Sequence, residues 1–433
     1  MVSLAPTLAK RLPFYYGWVI MAATGLVSFT SVAFGPGVVG VLFSSMSSEF
    51  GWSNSVIPGA ILLGSFMVVL VGPISGYVLD RHGPRYVATT GAVVMTICLV
   101  ALGGISSVVL FYVVFGVGHA VFVGVTRVAV ASTTAQWFVR RRGSASIVGS
   151  AATALGFVVL PLVAAVVMEQ QGWRVAWVTI GIITFVMAVP ASWLLLTARP
   201  EDVGQQVDGD RTEEEAQRIS TLGRSAGTEV QWTLAEAIRT PTLWVLVMGM
   251  ALQGIAIYGV TFHMVPHLEQ QGLSVTQAAI TFTLGGTAMT LSGFFWGPVA
   301  DRIHTRYLFG TSTLVLIGFV VMLMLVSSPW MVVPTGILMG LGFGGLILVE
   351  RLAFANYFGR SSAGAIQGFV TPILVVVSGS GALMAGIAFS ITGSYSWPFS
   401  VFVAGMFIAI VIVLLVPTPV KKGGPTPQPV GSA

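Results

Sequence analysis

The sequence predicts an all-α integral membrane protein: twelve transmembrane helices in two six-helix bundles related by pseudo-symmetry. Three observations lead there. Of 433 residues, 55% are hydrophobic and only 8% are charged. The Lys and Arg residues fall almost entirely in alternate loops. One charged turn is written twice, 221 residues apart.

A soluble chain of this length has no interior for so much apolar surface, whereas a bilayer core accepts about 20 apolar residues per helix. The apolar runs are continuous rather than alternating, which favours helices over barrel strands. Twelve runs follow in order: 14–43, 54–79, 86–105, 107–137, 144–168, 173–197, 241–268, 274–300, 307–327, 329–358, 362–391 and 395–417. The first follows Lys10 and Arg11. It exceeds the ~7–15 apolar residues of a signal peptide, and no small-x-small cleavage site closes it, so it reads as a span. Cys98, the only cysteine, lies in the third run, so no intramolecular disulfide forms. Residues 1–197 make the N-terminal bundle and 241–418 the C-terminal one. The polar stretch 198–240, with Glu213, Glu214 and Glu215, is expected to be a cytosolic linker. It ends in "WTLAEAIRTPTLW", a short interfacial helix stopped at Pro241. The Pro- and Gly-rich tail 419–433 is expected to be disordered and cytosolic.

Charge placement orients the chain. With a cytosolic N-terminus, all 20 Lys and Arg except Arg127, Arg174 and Arg351 fall in cytosolic segments. Arg174 is external, and the other two lie within spans. This positive-inside bias requires an even number of spans and puts both termini in the cytosol of a multi-pass plasma (inner) membrane protein. The basic pI therefore reflects topology, and no basic face suited to nucleic acid is evident.

The repeat supplies the pseudo-symmetry. Gly76, Asp80, Arg81, Arg85 and Tyr86 recur as Gly297, Asp301, Arg302, Arg306 and Tyr307. At the same offset Gly51, Ser53, Gly64 and Gly72 match Gly272, Ser274, Gly285 and Gly293, and at an offset of 220 "WFVR" at 137 is echoed by "YFGR" at 357. Six spans per copy is an even number, so both copies point the same way, related by an axis along the membrane normal. The plain reading of the turn is a topology signal in a tight reversal. Two copies in register, with Asp before Arg in each, favour a second reading. In it Asp80, Arg81, Arg85, Asp301, Arg302 and Arg306 form a cytosolic gate, paired when the halves meet there.

Gly-x-x-x-Asp-Arg-x-Gly-x-Arg, from Gly76 to Arg85, resembles the signature between the second and third helices of the major facilitator superfamily. Within it, "YYGWVIMAA" (15–23) and "WFVRRRGSASIVGSA" (137–151), through Phe138, Arg141, Arg142 and Ala145, resemble the monocarboxylate transporter family. "ARPEDVG" (198–204) and "ANYFGRSSAGAIQG" (355–368) resemble its bacterial branch. The resemblance implies the major facilitator fold and carboxylate transport. It also marks a departure. The family's carboxylate-binding Arg in the eighth helix, one turn after an Asp, falls on Gly293 here, and the Asp on Met289.

Ionisable residues within spans cost ~2.5–3.5 kcal/mol each on insertion scales and call for a role. Arg127 lies ten residues before Trp137, about 15 Å deep and near the midplane. It is the candidate clamp for an anion, since guanidinium pairs bidentately with carboxylate; the plainer role is a bond to helix carbonyls. Glu350 is the candidate proton carrier, with Arg351 beside it; a local ion pair is the alternative. His119, two turns before Arg127, and His263 are candidate polar groups at the substrate, although a lone His in a helix is more often structural. Thr24, Ser28 and Ser31 form a stripe able to face an aqueous cavity or to bond back to their own helix. Gln253 and Tyr258 are placed similarly on the seventh span.

No metal-ligand cluster or Gly-x-x-x-x-Gly-Lys loop is present, so neither a metal or other cofactor nor ATP-driven pumping is expected, and an enzyme is not. The expected function is a secondary active transporter for a small organic anion, a monocarboxylate above all, by proton symport or exchange. The alternative keeps the fold and makes the substrate a neutral or amphipathic molecule undergoing efflux.

Overall fold

A computed structural model describes residues 5–138, 142–207, 232–300 and 302–416. Asp301, Arg140, Arg141 and the tail from 417 lie outside them, as do the side chains of Asp80, Arg127, Arg142 and Arg351. The described chain is helical, and twelve of its helices are long and apolar enough to cross a membrane. They are Gly17–Phe50, Val56–Leu79, Pro84–Leu102, Val108–Thr126, Val148–Gln171, Trp173–Leu195, Pro241–Gln270, Val275–Ala300, Thr305–Met324, Pro329–Phe358, Ala365–Thr392 and Ser396–Leu414.

Two spans differ from their expected form. The first was expected to end at 43 but continues to Phe50 and is broken midway. Helix Gly17–Ser31 tightens into a 3-10 turn at Val32–Phe34, Gly35 is extended, and Pro36 restarts the helix. Pro suits that first position because its missing N–H has no intrahelical partner there. Of the serines beyond 43, which read as loop, two make tertiary contacts and one bonds back to its own helix. Ser44 donates to Glu269, Ser45 reaches Met168 Sδ at 3.3 Å, and Ser48 bonds Ser45 O at 3.0 Å. The fourth span was expected as one run over 107–137. It is Val108–Val121, then a π stretch Phe122–Thr126, then Arg127–Trp137.

The repeated turn is closed in two ways. In the first copy Gly83 adopts φ +81°, a conformation an L side chain resists, and Pro84 starts the third span. Its counterpart is His304 at φ −65°, which caps the ninth span by accepting from Arg306 N at 3.4 Å. Burial and the Arg306 guanidinium hold the His304 imidazole below its usual range, which keeps it a neutral acceptor. The second copy therefore does without the glycine. The linker's end also forms as read: helix Leu234–Ile238 carries a capping box between Thr233 and Glu236, and Pro241 opens the seventh span.

The halves meet through the first and seventh, second and eleventh, and fifth and eighth spans. Their contact is uneven along the membrane normal. Away from the Arg-bearing turns it is tight: a Cβ on Gly286 would stand 2.8 Å from Ala154 O, and one on Gly379 2.6 Å from Ser65 Oγ. Towards the Arg-bearing turns, Gly72 and Gly76 on the second span, Gly293 and Gly297 on the eighth and Gly368 on the eleventh have nothing within 4 Å. The bundle is closed at one end and parted at the other, the end that carries Arg81, Arg85, Arg302 and Arg306.

Two carboxylates latch the closed end, each reaching across from its own half. Glu269 of the seventh span accepts from the Ser44 hydroxyl of the first. Glu169 of the fifth accepts from the Thr276 backbone N–H, in the first turn of the eighth, at 3.2 Å. A hydrogen bond to a charged group contributes about 1.5–3 kcal/mol. Glu269→Ala is therefore expected to favour the state open at this end by roughly ten- to a hundredfold. The measurement is the labelling rate of a cysteine at position 282, in a Cys98→Ser background, by an impermeant maleimide added from the Ser44 side. An unchanged rate would show that the latch does not hold the gate.

Candidate functional site

At mid-depth the parted halves enclose a cavity of about 750 Å³, counting its open mouth. Six spans build it. The first contributes Pro36 at its break. The fourth contributes His119 and Phe122, and the fifth Phe157. The seventh contributes Ile257, Tyr258, Thr261 and Phe262. The eighth contributes Phe282, Gly285, Gly286 and Met289, and the tenth Met339, Gly340 and Phe343.

The sequence candidates divide between this cavity and the packing around it. His119 lines it, stacked on Phe115 with ring centres 6.0 Å apart and met edge-on by Phe122 at 5.8 Å. Gly64 of the second span makes room for it: a Cβ there would stand 2.9 Å from His119 Cβ. Tyr258 lines the cavity beside Phe262. Thr261, not anticipated, does so too, with its hydroxyl bonded back to Ile257 O at 2.7 Å.

Other candidates lie in the packing around it or on the protein surface. Thr24, Ser28 and Ser31 are buried, and the hydroxyls of Thr24 and Ser31 turn back on their own helix, to Ile20 O and Met21 O and to Ser28 O. Hydroxyls without water to bond take the nearest free carbonyl lone pair. Gln253 is fully buried and donates to Thr313 Oγ1 at 2.8 Å, tying the seventh span to the ninth. His263 was expected near substrate. Instead it is buried between Tyr395 Oη at 3.1 Å and Ala382 O at 2.9 Å, with Phe43 edge-on. Glu350, the candidate proton carrier, has an exposed side chain on the tenth span. The Arg351 side chain lies outside the described residues.

Arg127 begins a helix immediately after the π stretch. In an α-helix positions five apart differ by roughly 140°; the wider i→i+5 turn of a π stretch brings them closer to one side. The backbone thus swings position 127 towards the side of Phe122. The Arg127 side chain itself lies outside the described residues. Such π turns occur often at functional sites.

At the parted end the described arginines engage their own halves. Arg81 donates to Tyr77 Oη at 3.1 Å, the Arg85 guanidinium lies 4.1 Å from the Trp193 ring, and that of Arg306 lies 4.9 Å from the Tyr307 ring. Arg302 is exposed. Asp301 and the Asp80 side chain lie outside the described residues.

Sequence reasoning missed the aromatic wall and the two carboxylate latches. One signal for the wall was available. Gly336, Gly340 and Gly344 recur every fourth residue, a pattern that lets helices approach closely. They seat the tenth span against the eighth, beside Met289 and Phe343.

Two six-helix bundles parted at one end, with a cavity between them at mid-depth, are the architecture of a membrane transporter built from two repeats. The particular family is the Major Facilitator Superfamily, to which this chain belongs: its family model matches residues 20–374 and 269–432. Among curated relatives, human Monocarboxylate transporter 6 is 23% identical over 319 residues, 71% of this chain and 62% of that protein. The Fujikurins efflux protein of Gibberella fujikuroi is 28% identical over 154 residues, 36% of this chain and 31% of that one. A bacterial homologue of the human lysosomal transporter Spinster, solved inward-facing and unoccupied, superposes with TM-score 0.69 at 17% identity. It covers 94% of this chain and 97% of that one, and shows the shared fold.

Proposed function

We propose that this chain is a secondary active transporter that moves a small organic anion, with monocarboxylates as the leading class, by alternating access. Proton symport or anion exchange drives it. The observation that carries this reading is the mid-depth cavity together with the π stretch that turns position 127 towards its Phe122 side. Arg127 is the proposed clamp, with His119 and Tyr258 as the polar groups of the wall. The relatives named as monocarboxylate transporters agree with it. The Arg-bearing end is proposed to be cytosolic, in a plasma (inner) membrane, so that the state described opens inward. Residues 1–197 and 241–418 are the two moving halves and 198–240 the linker. Asp80, Arg81, Arg85, Asp301, Arg302 and Arg306 close the cytosolic end when the halves rock back.

One observation favours a second reading. Met289 lines the cavity and Gly293 has nothing within 4 Å, so the acidic and basic pair of the resembled family is absent from this wall. A neutral or amphipathic substrate undergoing efflux suits such a wall. Thermal stabilisation of the purified protein separates the two readings, because a ligand of the folded state alone adds about 2.7 kcal/mol at a hundred times its Kd. Carboxylic acids are expected to raise Tm and their amides not to. Amides that raise Tm as much as the acids would favour the second reading.

A further inference from the structure

The cavity wall says more about the substrate than its charge. Phe122, Phe157, Phe282 and Phe343 come from four different spans and from both halves, and Met289 and Met339 fill in between. Gly285, Gly286 and Gly340 line the cavity as well, and each lets a neighbouring helix approach closely there. A short, strongly hydrated acid entering such a place exchanges water for benzyl rings and thioethers, which return no hydrogen bond. A ligand with a flat or branched apolar body loses little water and gains ring faces and polarizable sulfur. Arg127 is the one Lys or Arg that the sequence puts at mid-depth, so a second carboxylate has no second cation there.

Resting on the anion reading above, we infer that the substrate is a monocarboxylate carrying an aryl or branched-alkyl body, and that lactate-like and dicarboxylic acids are poor ligands. The carboxylate is held towards the fourth span, and the body lies between the aromatic walls of the two halves. Closing the parted end then squeezes that body between both halves, which ties occupancy to the rocking motion.

The test is titration of the full-length purified protein, by calorimetry or thermal shift, with acetate, lactate, succinate, 4-methyl-2-oxopentanoate, phenylacetate and phenylacetamide. Each buried methylene contributes about fourfold in affinity. Phenylacetate is therefore expected to bind at least ~30-fold more tightly than acetate, with 4-methyl-2-oxopentanoate between them. In Phe343→Leu and Phe157→Leu this preference is expected to fall several-fold while the ligand-free Tm holds. Lactate or succinate binding as tightly as phenylacetate would overturn the inference and leave the anion reading standing. Phenylacetamide binding as tightly as phenylacetate would overturn the anion reading, and the inference with it.

Discussion

Arg127→Ala is expected to abolish measurable binding of organic acids while the variant still folds. Removing one partner of a buried, hydrogen-bonded charge pair costs about 2–5 kcal/mol, a loss of roughly thirty- to several-thousand-fold in affinity. The ligand-free protein is expected to keep its Tm or gain slightly, because a charge near mid-membrane is itself costly. Arg127→Lys separates the contributions: it keeps the charge but loses the planar two-pronged donor, so intermediate affinity is expected. The readout is ligand-induced thermal stabilisation in each variant. Wild-type affinity in Arg127→Ala would falsify the clamp. A variant that melts far lower without ligand would mark Arg127 as a structural residue.

The second large effect is expected at Gly340. The tenth span lies so close to the eighth that a Cβ on Gly340 would stand 2.6 Å from Met289 N and 2.7 Å from Ala288 Cβ, with Gly285 O closer still. Backbone cannot rotate out of the way as a side chain can. Gly340→Ala is therefore expected to destabilise by about 1–3 kcal/mol, the usual cost of overpacking, despite the better helix propensity of Ala. Gly318→Ala is the matched control: it lies mid-helix on the ninth span with nothing within 4 Å. There the same change is expected to be neutral or stabilising by up to ~1 kcal/mol. Thermal melts of the two variants in one detergent decide the matter, and equal shifts would mean that the close approach does not limit stability. Gly340 also lines the cavity, so Gly340→Ala is expected to weaken ligand binding as well.

The Gly318 and Gly340 pair shows how far the sequence reaches. Both glycines lie within apolar runs, and only the four-residue spacing of Gly336, Gly340 and Gly344 sets Gly340 apart in the sequence. Span number and order were legible because hydropathy acts along one dimension. Each span must cross a slab of set thickness, and each charge must remain in water. The repeat from Gly76 to Arg85 and from Gly297 to Arg306 was legible for the same reason: a tight charged reversal at the membrane surface is a local object. The short helix expected in "WTLAEAIRTPTLW", which forms at Leu234–Ile238, likewise rests on local capping chemistry.

Which polar residues face the cavity was not legible in this way. His119 and Tyr258 line it, while Gln253 and His263 bond to neighbouring helices. All four sit in apolar stretches, and only the partner across the bundle decides between a ligand site and a packing contact. The aromatic wall was hidden more deeply. Lipid tails are as apolar as Phe side chains, so composition does not tell Phe294, which is 83% exposed on the helix surface, from Phe282, buried against the cavity. The latch of Glu269 on Ser44 joins residues from opposite halves of the chain, and Ser44 lay where the sequence suggested a loop. Apolar length specified the number and order of the spans of this protein. Its cavity arose only where six spans converged, because what each residue faces inside a membrane depends on its neighbours in space.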